Sequence, residues 1–146
     1  MEANLLLPDE DTHSAPFWEA CRDRRLTLQQ CTDCGRLRFP PRPMCPRCNS
    51  LDHAWVDAAG TGTIWSWVVV HPPVLPAYNE FAPYPVAVIE LDEDPTLRMV
   101  GNVIAEPGAA INSVDPDDLA IGTPVRVTFE DLGEATLPRW VPVKDD

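Results

Sequence analysis

The 146-residue chain is long enough for one ordinary domain, or for a small metal module joined to a compact barrel. No apolar stretch approaches the roughly 20 residues a membrane-spanning helix needs, and the 17 prolines interrupt apolar runs rather than forming a low-complexity tract, so a folded chain is expected. The formal net charge is −12, but residues 22–47 hold seven basic and two acidic side chains (+5), leaving four basic and twenty-one acidic (−17) elsewhere. An acidic body opposes the wrapping of a long polyanion, because phosphate contacts dominate nucleic-acid affinity. The basic window still admits a small anion or an acidic protein surface.

Residues 1–11 read as a leader. They lack the basic n-region and long apolar run of an export signal. Ser14 to Arg24 predicts a short helix, with Ser14 as its cap and Pro16 in its first turn. Phe17, Ala20 and Cys21 share one face, and the thiol of Cys21 reads as a small buried apolar group. Leu26–Cys31 reads as a strand entering a turn, and Arg36–Phe39 as the strand leaving it.

Between and after these strands stand Cys31-Thr-Asp-Cys34 and Cys45-Pro-Arg-Cys48, with ten residues intervening. Two such turns form a tetrahedral thiolate cage, the ligand set of a structural zinc ribbon. Gly35 and Asn49 follow each pair, where positive φ lets backbone N–H groups turn toward sulfur. Four protein ligands leave no open position, so the metal is expected to be one structural Zn2+. A rubredoxin-like iron site uses the same ligands. Paired disulfides would need an oxidising compartment, whereas metal-ligating cysteines and no export signal point to the cytoplasm.

From Thr61 the pattern changes to period two. Thr63–His71 predicts a long strand with Trp65, Trp67 and Val69 on one face, read as barrel core. A Pro-rich aromatic loop, 72–85, precedes strands over Val86–Leu91 and Leu97–Ala105. Residues 113–122 predict one helical turn, capped by Asp115 and ended by Gly122. A strand from Val125 to Glu130 follows, and Leu137–Val143 reads as an edge strand because of its prolines. Three strands, a short helical connection and two strands is the order of a five-stranded OB-fold barrel, with a generic sandwich as the alternative. The expected organisation is mainly β: leader and helix over 1–25, zinc ribbon over 26–58 and OB-fold over 59–146.

The motifs together resemble one family. A helix bearing Pro-Phe-Trp-Glu, the run Cys-x-x-Cys-Gly-Arg-Leu-Arg-Phe-Pro-Pro-Arg-Pro-x-Cys-Pro-x-Cys, and the later Ala-Pro-Tyr-Pro-Val-Ala-Val-Ile-Glu-Leu and Ile-Gly-Thr-Pro-Val-x-Val segments look like a DUF35 protein. The resemblance covers about residues 14–143 and implies a rubredoxin-like zinc ribbon followed by an OB-fold. It also implies a hetero-oligomer with a thiolase-fold enzyme that handles acyl-CoA. One branch serves as the obligate partner of an aldolase that cleaves a steroid side-chain CoA thioester by retro-aldol reaction, which makes steroid-CoA one candidate substrate. Under that resemblance Arg36, Arg38, Arg42 and Arg47 would meet CoA phosphates, and Phe39, Tyr78, Phe81 and Tyr84 would line a channel or stack on adenine. No catalytic residue is assigned: His13, His53 and His71 are scattered, and no nucleophile elbow or phosphate-binding glycine loop is present. A single-stranded nucleic-acid binder and a rubredoxin-like electron carrier are the competing readings, and neither nucleic acid nor membrane is an expected partner.

Overall fold

The structure is a computed structural model that describes residues 5–144; the first four residues of the expected leader lie outside the described residues. Helix α1 spans Ala15–Arg22 and buries Phe17, Ala20 and Cys21, the apolar face expected from their i, i+3, i+4 spacing. Its start differs from the expectation. Ser14 makes no side-chain cap; its hydroxyl accepts from the Asp11 N–H at 3.1 Å, while Asp11 Oδ1 accepts from the His13 and Ser14 N–H groups at 2.9 and 2.8 Å. The carboxylate is the stronger acceptor and takes the turn. Burial pushes the Cys21 thiol up to about 12, which leaves it an inert packing group.

Strands β1 (Thr27–Cys31), β2 (Leu37–Arg38) and β3 (His53–Asp57) form a small antiparallel sheet in the order β2-β1-β3. β3 is mostly exposed and carries no strand signal of its own in the sequence. It pairs with β1 along its whole length, from Thr27↔Asp57 to Cys31↔His53, and draws its stability from that ladder.

Five further strands build the barrel: β4 (Thr61–Val70), β5 (Tyr84–Leu91), β6 (Arg98–Asn102), β7 (Pro124–Leu132) and β8 (Ala135–Pro142). Their order is β6-β5-β4-β7-β8, and a parallel bridge between Val103 and Trp140 joins the two ends. The expected edge strand β8 therefore closes the barrel. Its prolines sit opposite Phe129 and Val125 of β7 without breaking the pairing. The helical turn between β6 and β7 is a 3₁₀ turn, Pro116–Asp118, with Asp115 Oδ1 accepting from the Asp117 N–H at 2.9 Å.

The register of β4 against β5 shifts between Ile64 and Ser66. This bulge overturns the expected alternation: Trp65 turns outward, 44% exposed, with the Arg98 guanidinium 3.8 Å above its ring. Ile64, not Trp65, enters the core.

Helix, ribbon and barrel share that core. Phe17, Cys21, Leu26 and Leu28 pack in one cluster with Ile64, Ile89, Met99, Val125 and Trp140. Burial of each large side chain contributes about 2 kcal/mol, so the barrel end of the ribbon is held by apolar contact. Arg24, with φ +62°, turns the chain out of α1 and grips Asp131 of β7 through both Nη atoms, at 2.8 and 2.7 Å. No helix among the described residues is long and apolar enough to cross a membrane.

Candidate metal centre and basic rim

The far end of the ribbon is made by two tight turns. The Gly35 N–H donates to the Cys31 carbonyl and the Asn49 N–H to the Cys45 carbonyl, each at 2.9 Å. Gly35 has φ +79° and Asn49 φ +64°, the left-handed conformations expected after each cysteine pair. These turns bring Cys31, Cys34, Cys45 and Cys48 together, with all four Sγ atoms within 4.8 Å of one another. The Sγ atoms of Cys31 and Cys48 are 3.5 Å apart, and those of Cys34 and Cys45 are 3.7 Å apart. A tetrahedron with Zn–S bonds near 2.3 Å has edges of about 3.8 Å, so the cage fits zinc.

The electrostatics agree. N–H groups of Cys48 and Arg47 aimed at Cys45 draw its thiol down to about 6. At Cys48 the Ser50 N–H lowers the pKa, but the Cys31 thiol, burial and the thiols of Cys45 and Cys34 together outweigh it and push the group up to about 12. Four thiolates cannot all ionise side by side without a cation, and a bound dication removes that conflict. Cys31 and Cys45 are buried, whereas Cys34 and Cys48 are exposed. Ser50 Oγ donates to Asp33, tying the second turn to the first.

The arginines of the basic window divide. Arg22 pairs with Glu10, Arg24 with Asp131 and Arg25 with Asp57. Arg36, Arg42 and Arg47 are exposed around the cage and belong to none of the ion pairs among the described residues. Arg36 does reach the β5–β6 turn electrostatically: Asp94, held below its usual range chiefly by the Thr96 hydroxyl and N–H, is lowered further by the Arg36 charge. Arg38 differs from the sequence expectation. It is only 5% exposed, with Nε donating to Gln29 Oε1 at 2.8 Å and Nη2 to the Arg42 carbonyl at 3.0 Å, so it is not a surface phosphate ligand.

The aromatic candidates also divide. Phe39 packs against Phe17, ring centroids 5.4 Å apart, as part of the core margin. Tyr84 is buried, its phenol pushed up by burial and then by Tyr78, whose ring lies 6.0 Å away. Tyr78 and Phe81 are half-buried in the loop around the 3₁₀ turn Pro76–Tyr78. This loop meets the β4–β5 ladder at Val70↔Tyr84, whereas the turn that feels Arg36 follows the other end, Gly62↔Leu91. At about 3.3 Å per residue the two ends lie roughly 25 Å apart along the strand. Arg36 and the loop of Tyr78 and Phe81 thus lie toward opposite ends of the β4–β5 ladder.

The histidines lie apart: His13 precedes α1, His53 opens β3 opposite Cys31, and His71 follows β4. His71 follows the Tyr84 end of that ladder and Glu90 pairs with Thr63 near the other end, so the two do not meet. A cleft of about 280 Å³ between Pro107 and strands β7 and β8 holds Arg126 as its sole charged lining residue. It offers no acid–base pair.

Comparison with known proteins gives a consistent picture. Residues 18–54 match the family model described as the ChsH2 rubredoxin-like zinc ribbon domain, and residues 55–130 match that of the ChsH2 C-terminal OB-fold domain. A solved structure, the Ltp2-ChsH2(DUF35) aldolase, contains a chain 38% identical, with TM-score 0.79, covering 93% of this chain and 98% of that one. The probable enoyl-CoA hydratase alpha subunit of Thermomonospora curvata is 41% identical over 86% of this chain. The 3-oxo-4,17-pregnadiene-20-carboxyl-CoA hydratase alpha subunit of Mycobacterium tuberculosis is 33% identical over 94%. The chain spans 36% and 40% of the lengths of those two relatives.

Proposed function

The chain belongs to the ChsH2 family of DUF35 proteins, a zinc ribbon followed by an OB-fold, and from that premise we propose that it is the accessory subunit of a thiolase-like enzyme acting on acyl-CoA thioesters. The observation that carries the reading is the 38% identity, over nearly the whole of both chains, to the DUF35 chain of a two-component aldolase. Its substrate on this reading is a steroid side-chain CoA thioester, cleaved by retro-aldol reaction on the partner in the cytoplasm. The relative that acts on a pregnadiene carboxyl-CoA supports that substrate class.

This chain supplies binding and shape, not a catalytic group. The zinc, held by Cys31, Cys34, Cys45 and Cys48, supplies no chemistry to the substrate and fixes the ribbon between residues 26 and 58. Arg36, Arg42 and Arg47 present guanidinium groups on that fixed scaffold to the phosphates of the CoA end. Tyr78 and Phe81, at the far end of the barrel, offer apolar surface to the partner or to the acyl group.

Co-expression with the thiolase-like partner tests the proposal. The two chains are expected to co-purify, and cleavage of a β-hydroxyacyl-CoA thioester to require both. Replacing Arg36, Arg42 and Arg47 together by Gln is expected to raise KM for the CoA thioester about 10- to 100-fold, the loss of one or two charge-assisted contacts. A partner fully active alone sinks the reading.

A further inference from the structure

Thr27 and Gln29 on β1 and Arg38 on β2 are buried, and one side-chain atom of each has no hydrogen-bond partner among the described residues: Thr27 Oγ1, Gln29 Nε2 and Arg38 Nη1. Their residues are 3%, 1% and 5% exposed. Gln29 and Arg38 stand directly opposite in the β1–β2 pairing, and Thr27 lies two residues earlier on the same face. The amide orientation of Gln29 is set by its surroundings. Its Oε1 accepts from Arg38 Nε and from the Arg42 N–H, both at 2.8 Å, so its NH2 group must point to the remaining side.

The Arg38 guanidinium belongs to none of the ion pairs among the described residues. A buried cation with no counter-charge is strongly unfavourable, and buried polar groups are satisfied as a rule. The chemistry of the unsatisfied groups decides what satisfies them. A guanidinium and an amide NH2 offer only donors, and a threonine hydroxyl can add another. A water placed there must direct its own hydrogens at acceptors, and the hydroxyl oxygen is the single one among these atoms. An anion between the guanidinium and the amide, which Arg38 Nε and Gln29 Oε1 already hold together at 2.8 Å, accepts from both and cancels the buried charge as well, with Thr27 on the same face of β1.

We propose that Arg38, Gln29 and Thr27 form an internal site for a small monovalent anion of chloride size, beneath the proline-rich segment 40–43. The site is separate from the exposed arginines around the cage and independent of the proposed partner. The anion completes the fold by neutralising Arg38, and Arg38 in turn holds the Arg42 carbonyl that positions the segment between the two metal turns.

The test uses the zinc-loaded full chain and bromide as the probe. Crystals grown in bromide are expected to show an anomalous peak within hydrogen-bonding distance of Arg38 Nη1 and Gln29 Nε2. At constant ionic strength, replacing gluconate by bromide is expected to raise the Tm saturably, by about 3–6 °C. Gln29→Glu keeps the acceptor for Arg38 Nε and the Arg42 N–H while adding a fixed negative charge, so its Tm should be independent of halide. No anomalous peak together with an unchanged wild-type Tm would mean that ordered water fills the site and would overturn the proposal. A halide dependence that persists undiminished in Gln29→Glu would overturn it too.

Discussion

Removing the zinc should open one end of this molecule and leave the rest folded. Residues 32–36 and 44–52 bury almost nothing apolar; Cys45 is the one fully buried residue among them. Ordering these fourteen residues costs at least about 14 kcal/mol of backbone entropy. A structural zinc in a small ribbon contributes about 10–16 kcal/mol, enough to offset the low end of that cost, and little else nearby can. The barrel end of the ribbon is different, because Leu26 and Leu28 lie in the common core with Phe17, Ile64 and Trp140. Hydrogen exchange before and after chelation separates the two ends. The amides of Cys31, Gly35, Cys45 and Asn49, whose acceptors lie within the two turns at 2.9 Å, should lose protection. Those of Ile64, Leu91 and Ile104, bonded within the barrel at 3.0, 2.9 and 2.9 Å, should keep it. Cys48→Ser should reproduce the pattern without chelator. Unprotected barrel amides after chelation would refute the separation, because the zinc would then be holding the shared core; unchanged protection of the turns would show that the metal is not what orders them.

Two further outcomes follow from local geometry. At Gly62 an added Cβ would lie 2.5 Å from the Glu90 carbonyl oxygen and 2.8 Å from Ile89 Cγ2, and the first of these is backbone inside a ladder. Gly62→Ala should cost about 2–3 kcal/mol in a urea titration, the usual range for overpacking, and a loss under 0.5 kcal/mol would show that β4 and β5 can separate there. Asp131, gripped by Arg24 and by the Thr136 hydroxyl, is held well below its ordinary value of 3.8. A depressed carboxylate stabilises the fold fully above the unfolded value and loses that contribution as pH falls toward the folded one. The stability gap between wild type and Asp131→Asn should therefore be constant from pH 7 to 5 and narrow below about 4. Zinc loss at low pH is common to both proteins and cancels in that difference, and a gap that widened on acidification would contradict the assignment.

What could be seen in the sequence was local, and what could not depended on partners far along the chain. The cage and the two positive-φ positions, Gly35 and Asn49, follow from spacing within each turn. The buried face of α1 follows from helical periodicity over a few residues. By contrast, the outward turn of Trp65 comes from a register shift against β5, more than twenty residues away in sequence, and an alternating run cannot reveal a bulge in its own pairing. Strand β3 is visible only through its ladder with β1. Arg38 sits in a run of exposed arginines, and only the cross-strand position of Gln29 draws it inside. Closure of the barrel by Val103 and Trp140 likewise joins residues that no local pattern connects.

The basic window, one block of charge in sequence, resolves into three groups with different tasks. Arg22, Arg24 and Arg25 leave α1 and bind carboxylates at Glu10, Asp131 and Asp57, which orients the helix end against barrel and ribbon. These pairs are exposed and each contributes little energy, so orientation is their main effect. Arg38 is internal and organises the segment between the metal turns. Arg36, Arg42 and Arg47 remain outside these pairs in a chain with 23 carboxylates. Long side chains normally lose rotamer freedom on binding, a cost of about 0.5–1.5 kcal/mol each. Mounting their backbone on a zinc-fixed ribbon removes the additional cost of ordering the main chain beneath them. If the proposed CoA contacts of Arg36, Arg42 and Arg47 hold, the zinc strengthens them without touching the ligand, and that gain should vanish with the same chelation that opens the turns.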